Sequence, residues 1–271
     1  MKKKGVLPSK KLSRLIRRDI LEHSYRSSGA HISSCLSIAD ILAVLYAGIL
    51  RINPKSITDS NRDRFILSKG HAGLALYCTL ANLGFFPKST LKTYLRAGST
   101  LTDHPEYGLP GVELATGSLG HGLSVGAGMA LASKIDRKNY RVFVLVSDAE
   151  LNEGSTWEAI QFASHNRLDN LVVVVDANGL QAFGKTKEVL DLTPLEPKFL
   201  AFGFATATMD GHDHTALLSF FQSVPLQRGK PSVVIAETVA GKGISFMEGE
   251  LSWHYRNLTP SLYKKAMEES S

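Results

Sequence analysis

What most constrains this 271-residue chain is a set of short apolar runs in which polar residues do not alternate. Residues 142–147 and 171–176 are nearly continuous hydrophobic segments, and 64–68, 204–209 and 233–237 complete the set. A strand with one wet face alternates, whereas a strand buried on both faces does not. Helical periodicity fills the intervals. Residues 10–25 place Leu12, Leu15, Ile16, Ile20 and Tyr25 on one face, and 72–83, 155–166 and 215–224 read as further helices. A helix is also predicted over 37–50, with Ser37 as its cap and Asp40 in its first turn. Buried strands separated by helices predict an α/β fold, a mostly parallel central sheet with helices on both faces. No repeat or low-complexity linker divides the chain, so the expectation is one domain over 1–271, with 1–28 a basic N-terminal helical segment.

Composition narrows the class without naming a function. With 44% hydrophobic and 21% charged residues, the chain is not of the disordered or collagen-like type. Its longest apolar β-like run, 171–175, is far short of the roughly 20 residues that span a bilayer, so no membrane partner is expected. Cys35 and Cys78 are too few for a disulfide framework and form no CxxC pair. The start, Met1-Lys2-Lys3-Lys4, lacks the apolar stretch of a signal peptide. A cytoplasmic location is the expectation.

The formal charge of +6 invites a nucleic-acid reading, but its distribution argues against one. Lys2, Lys3, Lys4, Lys10, Lys11, Arg14, Arg17 and Arg18 all precede the first acid, Asp19, and without these eight the remainder is −2. The basicity belongs to one helix and its lead-in, read as a solvated or subunit-facing surface. No nucleic-acid partner is expected.

In open parallel sheets, ligands bind at the carboxyl ends of the strands. Just beyond two neighbouring apolar strands stand Asp148 and Asn178, separated by one βαβ crossover that can bring their loops side by side. A carboxylate and an amide oxygen are hard donors that suit Mg2+, which favours phosphate oxygens as further ligands. The expected ligand is a magnesium diphosphate, held also by loop amides and helix N-termini.

At this point the sequence resembles the transketolases, and more specifically the N-terminal, thiamine-diphosphate-binding subunit of split bacterial transketolases. Ser147-Asp148-Ala149-Glu150 followed by Asp176-Ala177-Asn178-Gly179-Leu180-Gln181 is similar to the family's cofactor motif. Ala30-His31, Ser68-Lys69-Gly70-His71 and Asp103-His104-Pro105-Glu106 resemble its three histidine motifs. Thr116-Gly117-Ser118-Leu119-Gly120-His121-Gly122 resembles the loop beside the cofactor, and Gly241-Lys242-Gly243 with Trp253-His254 the closing motif.

The resemblance implies that Asp148 and Asn178 ligate Mg2+ (or Ca2+ or Mn2+ in its place), with Leu180 adding its backbone carbonyl. It implies cofactor contacts from His71, Gly117, Leu119, Asp148, Ala149, Glu150, Asn178 and His254. Catalytic work falls to His31, His71, His104 and His254, with His31 and His104 facing the reacting carbon and the sugar hydroxyls. Histidine suits such proton transfers because its ordinary pKa lies near neutrality. Glu153 and Glu158 resemble the acids that communicate between paired active sites, although ordinary solvated helix positions explain them equally. The glycine loop serves either the cofactor or close helix packing. His121 is either structural or supporting, and His23, His165, His212 and His214 are read as structural or surface residues.

Ser147 and Ala149 stand where the family usually has glycines, and Ser33, Ser34 and Cys35 also depart from its pattern, which suggests a reshaped substrate mouth. Only 17 residues follow His254, too few for the pyrimidine-binding domain that transketolases need. The expected partner is therefore a separate C-terminal subunit, in an α2β2 assembly acting on sugar phosphates or related small sugars. The implied activity is transfer of a two-carbon ketol unit from a ketose to an aldose. The alternatives are another thiamine-dependent reaction, 2-oxoacid decarboxylation or deoxyxylulose phosphate synthesis, or a non-catalytic cofactor-binding subunit.

Overall fold

In the computed structural model, which describes residues 7–270, the apolar runs form one five-stranded parallel sheet. The elements in order begin with helices α1 (Ser9–Ser27), α2 (Ile32–Ser37) and α3 (Ala39–Val44), then strand β1 (Arg64–Leu67) and α4 (Gly73–Asn82). Next come α5 (Gly122–Ile135), β2 (Val142–Ser147), α6 (Gly154–His165) and β3 (Leu171–Ala177). A two-stranded hairpin, β4 (Leu180–Gln181) and β5 (Gly184–Lys185), precedes short helices α7 (Thr186–Val189) and α8 (Leu195–Ala201). The chain ends with β6 (Ala205–Asp210), α9 (His214–Ser223), β7 (Ser232–Glu237) and α10 (Pro260–Glu269).

Burial on both sides accounts for the apolar runs. Phe143, Leu145, Val172, Val174, Val234 and Ala236 face a core shared with α1 to α4 and α9. Their neighbours Val142, Val144, Val146, Val173, Val175 and Ile235 face a second core under α5, α6 and α8. Successive side chains point to opposite faces of a strand, so each of these strands must be apolar at every position.

The sheet order, β1-β2-β3-β7-β6, places the functional end. The chain advances from β1 to β3 across neighbouring strands, jumps to β6 at the far edge, and returns to β7. Its direction reverses between β3 and β7, and ligands bind at such a switch, outside the carboxyl ends of the strands. Register brings Ser147 beside Asp176, and Asp176 beside Ala236.

Two expectations need correction. The helix predicted over 37–50 is broken at Ile38, between α2 and α3, and its last turn, Leu45–Ile49, is a π-helix. Ser37 closes α2 and caps nothing, because its hydroxyl donates to Ser34 O and to Asp176 Oδ2. The whole of α2 and α3 is buried, so periodicity alone could not reveal that break. The basic helix is also less solvated than its charges suggest. Lys10, Lys11 and Arg14 are exposed, but Arg17 pairs with Asp40 and donates to Lys242 O, and Arg18 donates to Met267 O. Lys2, Lys3 and Lys4 lie outside the described residues. His212 and His214 also share hydrogen bonds with the Asp40 carboxylate, which ties α1, α3 and α9 together and bears out their structural reading.

The glycines of α5 differ in how closely they are packed. A Cβ on Gly122 would lie 2.6 Å from Ser68 Cβ and 2.9 Å from Ser68 Cα, whereas one on Gly128 would meet nothing within 4 Å. Overpacking costs about 1–3 kcal/mol, against at most about 1 kcal/mol gained by replacing a helical glycine. Gly122→Ala should therefore lower stability in urea denaturation, while Gly128→Ala should raise it by about 0.5–1 kcal/mol. Equal shifts in the two variants would contradict this packing.

Candidate active site

A cleft of about 330 Å3 opens at the switch, and the six sequence motifs meet around it. His31, His71, His104, Gly117, Leu119, Ala149, Asn178, Leu180 and His254 all line it. His31 sits centrally, with ring-centroid distances of 4.8 Å to His254, 5.2 Å to His71 and 6.5 Å to His104. Its backbone is left-handed, with φ 62°, and its amide donates to His254 O at 2.8 Å. A non-glycine residue in that region costs on the order of 1–3 kcal/mol and persists where surrounding structure fixes it. The bond to His254 is part of that fixing, and it joins the first motif to the last.

The histidine end is partly buried. Burial is the main cause that lowers the pKa of His31, His71 and His254, and the positive charge of Lys69 adds to it in all three. His254 falls to about 4. All three are neutral imidazoles at pH 7, able to accept a proton. His71 Nε2 shares a hydrogen bond with Ser34 Oγ at 2.9 Å, while His31 Nδ1 is buried with no hydrogen-bond partner among the described residues. Asp103 Oδ2 lies 3.7 Å from both His31 Nε2 and His104 Nδ1, so one carboxylate stands by two imidazoles.

The opposite end is built of oxygen donors. Asp148 follows β2 and accepts from the amides of Ala149 (2.9 Å) and Gly179 (2.8 Å), which brings the two strand-end loops together. Burial first, and the charge of Asp176 second, push its carboxyl up to about 7. It has no ion-pair partner among the described residues, so the site suits a cation. Asn178 accepts from Leu180 N at 2.9 Å through Oδ1 and donates to Asp176 Oδ2 at 3.0 Å through Nδ2. Among the described residues no group of three or more His, Cys, Asp or Glu side chains is arranged to hold a metal. The donors here are one carboxylate with amide and carbonyl oxygens, a hard set that leaves positions for phosphate oxygens.

Several expected residues lie elsewhere than in the cleft wall. Asp148 lines a neighbouring cavity with Ala177 and Gly179, directly behind the Asn178 turn. Glu150 is fully buried, and its carboxylate accepts from Gly120 N (2.9 Å) and Ser68 Oγ. It holds the glycine loop from behind and does not reach the cleft, because donors inside the fold occupy it. Glu153 borders the cleft and is exposed, Glu158 is exposed on α6, and His121 is exposed at the start of α5.

Three features of the site escape a reading of the sequence. Asp103 is legible there only as the neighbour of His104 in its motif, and Ser34 only as a departure. The third is a buried ion pair, Lys69 Nζ to Asp176 Oδ2 at 2.5 Å, with both side chains fully inaccessible. Lysine and aspartate are usually surface residues, so nothing in their spacing signals the pair.

Fold and site together define an α/β cofactor domain, one that joins a hard-oxygen anchor to a cluster of neutral histidines across a strand-end cleft. A sequence profile for the thiamine diphosphate binding domain of transketolase matches residues 9–265. The chain is 40% identical to an apulose-4-phosphate transketolase subunit of Phocaeicola vulgatus, over 94% of this chain and 91% of that protein. It is equally 40% identical to the 6-deoxy-6-sulfo-D-fructose transketolase subunit SqwG of a Clostridium species, over 94% and 93%. The solved transketolase from Leishmania mexicana superposes with a TM-score of 0.90 at 26% identity, covering 96% of this chain and 41% of that one. The chain thus spans about two-fifths of the solved transketolase. The chain belongs to the transketolase family, as the thiamine-diphosphate-binding N-terminal part of a transferase that relatives carry as a separate subunit.

The depressed histidines make a contribution of definite sign to the pH dependence of stability. At these imidazoles the unfolded chain binds more protons than the folded one between the lowered values and 6.5, so the stability they contribute is complete above 6.5 and is lost as pH falls toward 4. The raised carboxyls of Asp148 and Glu150 act in the opposite sense, so the test is a difference between variants. The urea midpoint at pH 5, taken relative to that at pH 7.5, should be higher in His71→Gln than in wild type. An equal change in wild type and variant would remove His71 from this contribution.

Proposed function

We propose that the chain is the diphosphate-anchoring half of a two-chain transketolase, moving a two-carbon ketol unit from a ketose phosphate or related small sugar to an aldose. The observation that carries this reading is the convergence of four histidines and the Asp148–Asn178 loops on one strand-end cleft. Asp148, Asn178 and the Leu180 carbonyl would hold Mg2+, or Ca2+ or Mn2+ in its place. Thiamine diphosphate, when bound, supplies the nucleophilic carbon and the electron sink for carbon–carbon cleavage.

The chain's own residues bind, orient and move protons. The Ala149 amide, His71 and His254 serve the diphosphate end, and Gly117 and Leu119 border the rings. At the sugar end, His31 and His104 flank Asp103. They take the proton from the donor's C3 hydroxyl as its C2–C3 bond breaks, and return one to the acceptor's carbonyl oxygen as the new bond forms. Asp103 favours the imidazolium form during that interval. Because His31 is neutral beforehand, it is ready to accept. Glu150 contributes by fixing the Gly120 loop, and Glu153 and Glu158, both exposed, would serve contact between protomers.

The whole chain acts here as one diphosphate-binding unit. Relatives in which this part is a separate subunit favour a second chain carrying the pyrimidine-binding domain, and we place the two in an α2β2 assembly. Among the described residues no helix is long and apolar enough to cross a membrane. The two buried free thiols, Cys35 and Cys78, fit a reducing cytoplasm.

Reconstitution tests the reading. The purified chain with thiamine diphosphate and Mg2+ should show no ketol transfer, and addition of the partner chain should restore it. Turnover by the chain alone would defeat the two-chain assignment. Asp148→Asn keeps the size of the side chain but removes a charge that is buried and faces another carboxylate. Its amide nitrogen would face the N–H of Ala149 or Gly179, which offsets the relief, so the variant without ligands should melt within a few degrees of wild type. It should also lose the stabilisation that Mg2+ with cofactor gives wild type. Retained metal-dependent stabilisation would sink the metal assignment.

A further inference from the structure

We infer that Lys69 and Asp176 are positioning residues for Asn178, deciding which end of its amide is offered to the metal. The inference rests on the reading of Asn178 as a metal ligand. Asp176 itself is fully buried and lines neither the cleft nor the neighbouring cavity that Asp148 borders, so it is no ligand. Its carboxylate instead collects four side-chain donors. Oδ2 accepts from Lys69 Nζ at 2.5 Å, Ser37 Oγ at 2.8 Å and Asn178 Nδ2 at 3.0 Å, and Oδ1 accepts from Thr238 Oγ1.

An amide side chain has a donor end and an acceptor end, and an ionised carboxylate only accepts. The nitrogen of Asn178 must therefore face Asp176. The reversed amide would set Oδ1 against Asp176 Oδ2 and Nδ2 against the N–H of Leu180, two mismatches at once. In the observed orientation Leu180 N uses one lone pair of Oδ1, at 2.9 Å, and the other remains for a cation. Lys69 keeps this arrangement tenable because it neutralises Asp176 where water cannot. Its second bond, to Ser34 O at 3.2 Å, anchors it to α2, whose Ser34 hydroxyl meets His71.

The partners that orient a metal ligand typically govern metal affinity by about 10–100-fold. The test uses Lys69→Met combined with Asp176→Asn in the assembled two-chain complex. Removing both charges together leaves no ion buried alone, and the neutral amide at 176 no longer dictates the orientation of Asn178. Mn2+ is the probe, titrated in the presence of thiamine diphosphate and followed by loss of the free-ion EPR signal. The melting temperature without ligands should stay within a few degrees of wild type. The Mn2+ dissociation constant should rise about 10–100-fold, and excess metal should recover ketol transfer.

A purely structural role would lower the melting temperature, and excess metal would not repair the activity. Wild-type Mn2+ affinity in the double variant overturns the inference, and so does an activity loss that metal cannot recover. If the double variant does not fold, Thr238→Val keeps both charges and removes one bond from Asp176. It should give a smaller rise, below about 10-fold, and no rise overturns the inference. Wild type and Asp148→Asn run in parallel separate the two levels. If wild type takes up no Mn2+ with the cofactor, the metal-site reading falls and this inference falls with it.

Discussion

The site is organised around one ion pair that no water reaches. Removing an ammonium and a carboxylate from water costs several kcal/mol per ion, and their attraction repays this only when the remaining donors and acceptors are matched. Around Lys69 and Asp176 they are matched, by Ser37 from α2, the Ser34 carbonyl, Asn178 after β3 and Thr238 after β7. The bonds come from separate segments, so the pair is tolerable only when α2 and the ends of β1, β3 and β7 are all in place. The strands are interchangeable hydrophobic rods along most of their length, and this pair marks where they must stop. It lies at the reversal between β3 and β7, where the sheet opens to hold a ligand.

The same partial burial treats the two ends of the cleft oppositely. Burial, supplemented by the Lys69 charge, favours neutral imidazoles at His31, His71 and His254. Burial and the Asp176 charge disfavour the ionised form of Asp148. The histidine end is thus prepared to accept protons, and the oxygen end is prepared for a cation that would relieve it. Neither condition needs a bound molecule to create it. Both follow from partial burial and from the charges of one fixed lysine–aspartate pair.

The sheet is legible in the sequence because burial on both faces leaves a mark at every residue of a strand, and 142–147 and 171–176 carry it. The limits of the helix over 37–50 are not, because full burial erases the amphipathic pattern that reports them, and because the bond that makes Ser37 an end comes from Asp176, 139 positions away. In the site, the cleft histidines are legible through their motifs, whereas their mutual distances depend on the left-handed turn at His31. For Glu150 the motif gives only the neighbourhood, and the packing is what shows its carboxylate engaged by Gly120 and Ser68.

That inner contact also explains one of the departures from the family pattern. Serine at 147 suggests a reshaped substrate mouth if its hydroxyl points outward. The residue is only 4% exposed, and Ser147 Oγ accepts from the Glu150 amide at 3.1 Å. The hydroxyl therefore satisfies an N–H of the turn that carries Glu150 toward the glycine loop, a task a glycine there would leave to another acceptor. Ser147 and Ala149 both border the cleft, but they meet it differently. The Ser147 hydroxyl is engaged by the Glu150 amide, whereas the Ala149 methyl has no polar group to turn inward and adds bulk beside the amide that a diphosphate would approach.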